Sequence, residues 1–125
     1  METITKPKFS AYIIPGLAIT ASKKKLDSTI TTNHIKLLVA EFHGIRSFLI
    51  DYKDRKREIV KPRQQAHYFA KLLTKDSLAT IGLVIGEKDH ATVLHSIKTV
   101  NNLKDTDAKY RQELELLEKF IYRNI

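Results

Sequence analysis

The chain has 125 residues and a mass of 14.4 kDa, 42% of it hydrophobic, which suffices for one ordinary domain with a single core. It lacks cysteine, which excludes a disulfide scaffold, a thiolate metal site and a cysteine nucleophile. A formal charge of +8, no apolar run of membrane-spanning length and no secretory layout at the N-terminus predict a cytoplasmic protein with a polyanionic partner, most simply nucleic acid.

Residues 1–31 are expected to form an N-terminal arm or linker. Phe9 to Ile14 reads as an extended segment stopped by Pro15-Gly16, and Lys23-Lys24-Lys25 as a solvated basic cluster. Alternatively, Tyr12, Ile13 and Ile14 pack onto the domain or onto a protein partner, with the lysines near phosphates. Residues 32–123 read as an all-α bundle.

Thr32 or Asn33 can cap a first helix with Ile35, Leu38, Val39 and Phe42 inward and Gly44 at its end. Ile45, Phe48, Leu49 and Ile50 mark a short helix or turn, and Asp51 to Lys61 reads as a charged loop. Pro62 then suits the first position of a new helix, where its missing N–H costs nothing. That helix buries Ala66, Phe69, Ala70 and Leu73 and places Arg63, Gln64, His67 and Lys71 on or near the other side. Thr74 to Asp76 is a break, Ser77 caps a brief helix carrying Leu78, Ile81 and Ile85, and Gly86 interrupts it. Asp89 opens the next helix, with Val93, Leu94, Ile97, Val100 and Leu103 inward. A last helix, roughly Thr106 to Arg123, carries the stripe Tyr110, Leu114, Leu117 and Ile121, read as core cover or as the seam of a weak dimer.

Two short helices joined across Gly86-Glu87-Lys88 have the size and order of a helix-turn-helix. The first turn of its second helix holds Asp89, His90, Ala91 and Thr92, with His95 one turn on. In a major groove, Asp89 can accept from a cytosine amino group, and the methyls of Ala91 and Thr92 can meet a thymine methyl. The bland alternative makes Asp89 a helix cap and both histidines surface residues. Upstream, Lys53, Arg55, Lys56, Arg57, Lys61 and Arg63, offset by Asp54 and Glu58, form a dense basic run. One arginine of this run can enter a narrow minor groove. Arg63 and Gln64, placed at a helix start, favour a phosphate.

Catalysis finds no support. The chain has no G-x-x-x-x-G-K-[ST] loop, so no nucleotide is expected, and His34, His43, His67, His90 and His95 show no H-E-x-x-H spacing. No cofactor, metal or membrane partner is expected.

The runs Lys56-Arg57-Glu58-Ile59-Val60-Lys61-Pro62-Arg63-Gln64, Ala70-Lys71-Leu72-Leu73-Thr74, Ser77-Leu78-Ala79-Thr80-Ile81-Gly82 and Asp89-His90-Ala91-Thr92-Val93-Leu94-His95 carry a resemblance. They resemble the C-terminal DNA-binding domain of the bacterial replication initiator DnaA, over about residues 32–122. The resemblance implies a six-helix, Trp repressor-like domain whose helix-turn-helix reads a short duplex box related to TTATCCACA. By motif position, Asp89, His90 and Thr92 would face bases, Ala91 would keep a methyl contact, and Arg55 would enter the minor groove. Arg63 and Gln64 would hold phosphates, with Lys71, Thr74 and His95 in support. Lys56, Arg57, Lys61 and Lys88 complete the expected backbone contacts.

The chain departs from the family pattern at Ala91 (commonly Thr), at Ala79 (commonly Pro), and at Glu87 and Lys88 (commonly Gly and Arg). Residues 1–31 are too few for the family's ATPase module, so a stand-alone reader of DNA sites is expected, as a monomer or weak dimer. The rival reading keeps the fold without sequence reading, as a protein-interaction module using the N-terminal arm.

Overall fold

The computed structural model describes residues 30–53 and 55–125, and among them all regular structure is helical. The expected arm therefore lies outside the described residues except at its last two positions. Ile30 packs against the core and the Thr31 hydroxyl accepts the His34 N–H at 3.2 Å, capping α1 (Thr32–His43). The cap sits one residue earlier than expected because Thr32 is buried, with its N–H and hydroxyl donating to Asp76 at 3.3 and 2.5 Å. Gly44 ends α1 at φ 70, a left-handed conformation that favours glycine.

After Ile45 comes α2 (Ser47–Asp51), one short helix that buries Ile50 and leaves Phe48 and Tyr52 exposed. The next helix, α3, runs Arg57–Leu73 and corrects the expected start at Pro62. Pro62 lies inside the helix, and the loop ends five residues earlier than the proline indicated. An interior proline removes one backbone hydrogen bond and crowds the carbonyl four residues before it, costing about 3 kcal/mol. Burial of Ile59 and of Pro62 itself offsets that cost, since Ile59 and Ala66 share the inward face at a seven-residue spacing.

The sides of α3 also differ from expectation. Arg63 and His67 fall on the buried face rather than the outer one, while Gln64 is half-buried and Lys71 exposed. The spacing explains it: 59, 63, 66, 70 and 73 follow a helical period, and His67 completes the stripe beside them. Their polar identity hid a periodicity that was otherwise present.

Ser77 caps α4 (Leu78–Val84) by accepting the Thr80 N–H at 3.1 Å. Asp89 caps α5 (His90–Thr106), which buries Val93 and Val100 as expected but leaves Leu94 41% exposed. Asp107 caps α6 (Ala108–Arg123), whose stripe Tyr110, Leu114, Leu117 and Ile121 is wholly buried in the domain's own core. That stripe is core cover, and its burial leaves it unavailable as a dimer seam.

Phe69 of α3 sits at the centre, with α3 packed on α1, α2, α4 and α5, and α6 closing the core against α1 and α5. No helix among the described residues is long and apolar enough to cross a membrane.

Candidate nucleic-acid interface

A backbone hydrogen bond closes the turn between α4 and α5. The Lys88 N–H donates to the Gly82 carbonyl at 2.8 Å, and a Cβ on Gly82 would collide with the Lys88 carbonyl. Gly86 turns the chain at φ 85, and Glu87 follows at φ 50, a left-handed angle uncommon for a residue with a side chain. The turn thus brings α5 onto α4 at a distance that only glycine at position 82 permits.

His67 supports this turn from beneath. Its Nε2 lies 3.1 Å from the Ile85 carbonyl and its Nδ1 2.9 Å from the Ser96 hydroxyl. A carbonyl only accepts, so Nε2 carries the proton and Nδ1 accepts from Ser96. Burial pushes the imidazole down to about 4, helped by the charges of Arg63 and Lys88, against the opposing effect of the Ile85 carbonyl. His67 is therefore a neutral buried bridge from α3 to both sides of the turn.

With that support, the opening turn of α5 faces solvent. Asp89, His90, Ala91 and His95 are exposed and Thr92 and Lys88 are half-buried. Asp89 Oδ1 accepts the Thr92 N–H at 2.9 Å, which holds its carboxyl below the usual range, with the Thr92 hydroxyl contributing next. A carboxylate offers about four acceptor positions, so capping leaves it able to accept from a ligand.

The basic run divides into two groups. Arg55, Lys56 and Arg57 are exposed at the start of α3, and Arg55, Arg57, Lys61 and Gln64 line one shallow recess of about 180 Å³ with Leu103 and Tyr110. Lys61, however, is paired with Glu113 of α6 at 2.9 Å. Arg63, 7% exposed, donates from Nε to the Ile50 carbonyl at 2.7 Å and from Nη2 to the Tyr52 carbonyl. The expectation that Arg63 and Gln64 stand in a first helical turn is corrected: both lie in the second turn of α3, beyond its free N–H groups. The first turn belongs to Arg57 and Glu58, and Lys56, its N-cap, makes no side-chain capping bond. Thr74 donates its hydroxyl to the Ala70 carbonyl at 2.6 Å and accepts the Asp76 N–H at 3.2 Å, so its place is the end of α3.

Two residues that sequence reading passed over shape the site. Asp51 accepts the Gly86 N–H at 2.8 Å, and Lys36 donates to Asp51 at 2.9 Å and to the Val84 carbonyl at 3.1 Å. Only tertiary contact signals them, since both lie in segments that read as ordinary polar positions. A wider groove of about 760 Å³ runs between α3 and α6 past Tyr68, Leu72, Lys104 and Tyr122, and contains none of the expected DNA contacts. Among the described residues no group of three or more His, Asp or Glu side chains could hold a metal.

A short helix, a closed turn and a second helix with an exposed polar first turn define a helix-turn-helix module, a class that binds DNA rather than one that performs catalysis. The family model described as the bacterial dnaA protein helix-turn-helix matches residues 32–100. The chain belongs to this DnaA C-terminal family. It is 40% identical over 96 residues to the chromosomal replication initiator protein DnaA of Flavobacterium psychrophilum, and 42% identical over 91 and 92 residues to those of Wolbachia pipientis wMel and Rickettsia canadensis. These matches cover 77%, 73% and 74% of this chain but 20% of each relative, so the chain spans about a fifth of their length.

Proposed function

We propose that this chain binds duplex DNA in a sequence-specific manner, reading an initiator-type box or a variant of it. The supporting observation is the first turn of α5, exposed at Asp89, His90 and Ala91 on a turn locked by the Lys88–Gly82 bond. In this reading Asp89, His90, Ala91 and Thr92 face base edges in the major groove and Arg55 enters the minor groove. Lys56, Arg57, Gln64, Lys71, Lys88 and His95 meet or support contacts to the phosphate backbone, and the N–H groups opening α3 add to them. Arg63, Lys61 and Thr74 are assigned instead to holding the scaffold, because their polar atoms already serve other helices or the end of their own.

The relatives are initiators of chromosomal replication by name, which favours a role at replication sites and a place on the nucleoid in the cytoplasm. The reading domain takes in the last two residues of the expected arm, since Ile30 packs against its core and Thr31 caps α1. The domain binds its box as a monomer, since the one long apolar stripe of α6 is used internally.

Fluorescence anisotropy with a labelled initiator-type box, a scrambled box and a randomised pool, at two salt concentrations, tests the reading. Tighter binding to the box, weakening as salt rises, is expected. Equal binding to all three would remove the sequence-specific part, and absence of binding at either salt would put the protein-interaction reading in its place.

A further inference from the structure

We propose that Asp51, with Arg63, is a positioning clasp that ties the basic loop to the helix-turn-helix turn, so that the minor-groove arginine and the recognition helix are presented at one fixed separation. This rests on the DNA-binding reading above and goes beyond it, because neither residue would touch DNA.

Asp51 is the last residue of α2, and the loop bearing Arg55 begins just after it. Its Oδ1 accepts the Gly86 N–H at 2.8 Å, in the middle of the turn that aims α5. Its Oδ2 accepts from Lys36 at 2.9 Å, and the same ammonium reaches the Val84 carbonyl at 3.1 Å, at the end of α4. One carboxylate therefore holds the turn directly, and through Lys36 holds the helix before it.

Arg63 grips the same point from α3. Its guanidinium donates to the carbonyls of Ile50 and Tyr52, the residues on either side of Asp51, and its side chain lies against Gly86. A buried guanidinium must have acceptors, so this grip is costly to release. The loop is thus held at Tyr52 by Arg63 and at Arg57 by the start of α3. Arg55 lies three residues beyond Tyr52, a tether of about 10 Å even if fully extended. The clasp leaves the side chain of Arg55 free to enter a groove but fixes where its backbone starts, relative to α5. Fixed separation of two contacts reduces the ordering cost of binding and selects one spacing of sites.

A double-mutant cycle on the full chain tests this, pairing Asp51→Ala and Asp51→Asn each with Arg55→Ala, against the box duplex. Asp51→Asn keeps an oxygen for the Gly86 N–H and guards against a variant that merely unfolds. In the wild-type and Asp51→Asn backgrounds, Arg55→Ala is expected to weaken binding about tenfold. In the Asp51→Ala background the same change should cost roughly twofold, because the arginine is no longer placed for the groove. An equal factor in all three backgrounds overturns the proposal.

Amide hydrogen exchange without DNA reads the clasp independently. Asp51→Ala should speed exchange at Gly86 and also at Tyr52, Ile59 and Val60, whose N–H groups donate to Leu49 and Lys56 on either side of the loop, leaving the amides of α6 unchanged. Faster exchange confined to Gly86 overturns the coupling. Loss of box preference in the wild-type chain would instead refute the DNA reading, and the exchange pattern would still decide whether loop and turn are clasped.

Discussion

At Asp89 the carboxylate that caps α5 through the Thr92 N–H also stands on the surface offered to base edges, so removing it mixes two effects. Serine caps a helix about as well as aspartate but is shorter. Asp89→Ala should therefore lower stability and blur discrimination between matched and scrambled duplexes, and Asp89→Ser should restore the stability without restoring discrimination. Urea unfolding alongside duplex titration separates the two, and equal losses on both duplexes would end the base-reading role. His67 makes a second residue-scale prediction. Its imidazole is pushed from its ordinary 6.5 to about 4, so below pH 6.5 the unfolded chain takes up a proton that the folded chain refuses. The stability tied to its neutral form is complete above pH 6.5 and is lost as pH falls toward 4, amounting to about 2 kcal/mol between pH 7.5 and 5. Comparing wild type with His67→Gln by urea unfolding at those two pH values should show that difference; equal slopes would mean His67 is not held neutral.

The elements were largely legible in sequence, and the misses share one cause. Capping chemistry located α4 and α5, because Ser77 and Asp89 do locally what their side chains favour, and the pure helical period of its stripe located α6. The start of α3 was misplaced because proline's local preference for a first turn was overridden by burial of Ile59, a tertiary gain that no local rule registers. Gly82 is the sharpest element-scale constraint, since a side chain there meets the Lys88 carbonyl and the Val93 methyl. Gly82→Ala should force α4 and α5 apart and cost about 2–3 kcal/mol, despite alanine's better helix propensity. Chemical denaturation checks this, and unchanged stability would show that the turn can open at no cost.

For the whole molecule, the count of 22 lysines and arginines overstates the cations that DNA would meet. Lys61 is matched by Glu113, Lys36 by Asp51, and the guanidinium of Arg63 is buried on carbonyls, while Arg55, Arg57 and Lys71 face solvent. Affinity should fall with salt at a slope of about 0.9 per phosphate neutralised. Arg57→Ala should reduce that slope by about one, and Lys61→Ala should leave it nearly unchanged, since its charge is already countered. Anisotropy titrations over a salt series measure both, and a full unit lost at Lys61 would show that the Glu113 pair opens on DNA.

The sequence by itself determined the helical class, the family, and the polar first turn of α5, because periodicity, caps and motif runs are properties of neighbouring residues along one chain. Only the tertiary structure decided which basic and titratable groups remain at the surface. Arg63 and His67 carry the same chemistry as residues that bind DNA, yet the packing of α3 against α2 and the turn holds them inside. A charged side chain's role depends on which carbonyls and carboxylates lie within about 3 Å of it, and those partners come from segments distant in sequence.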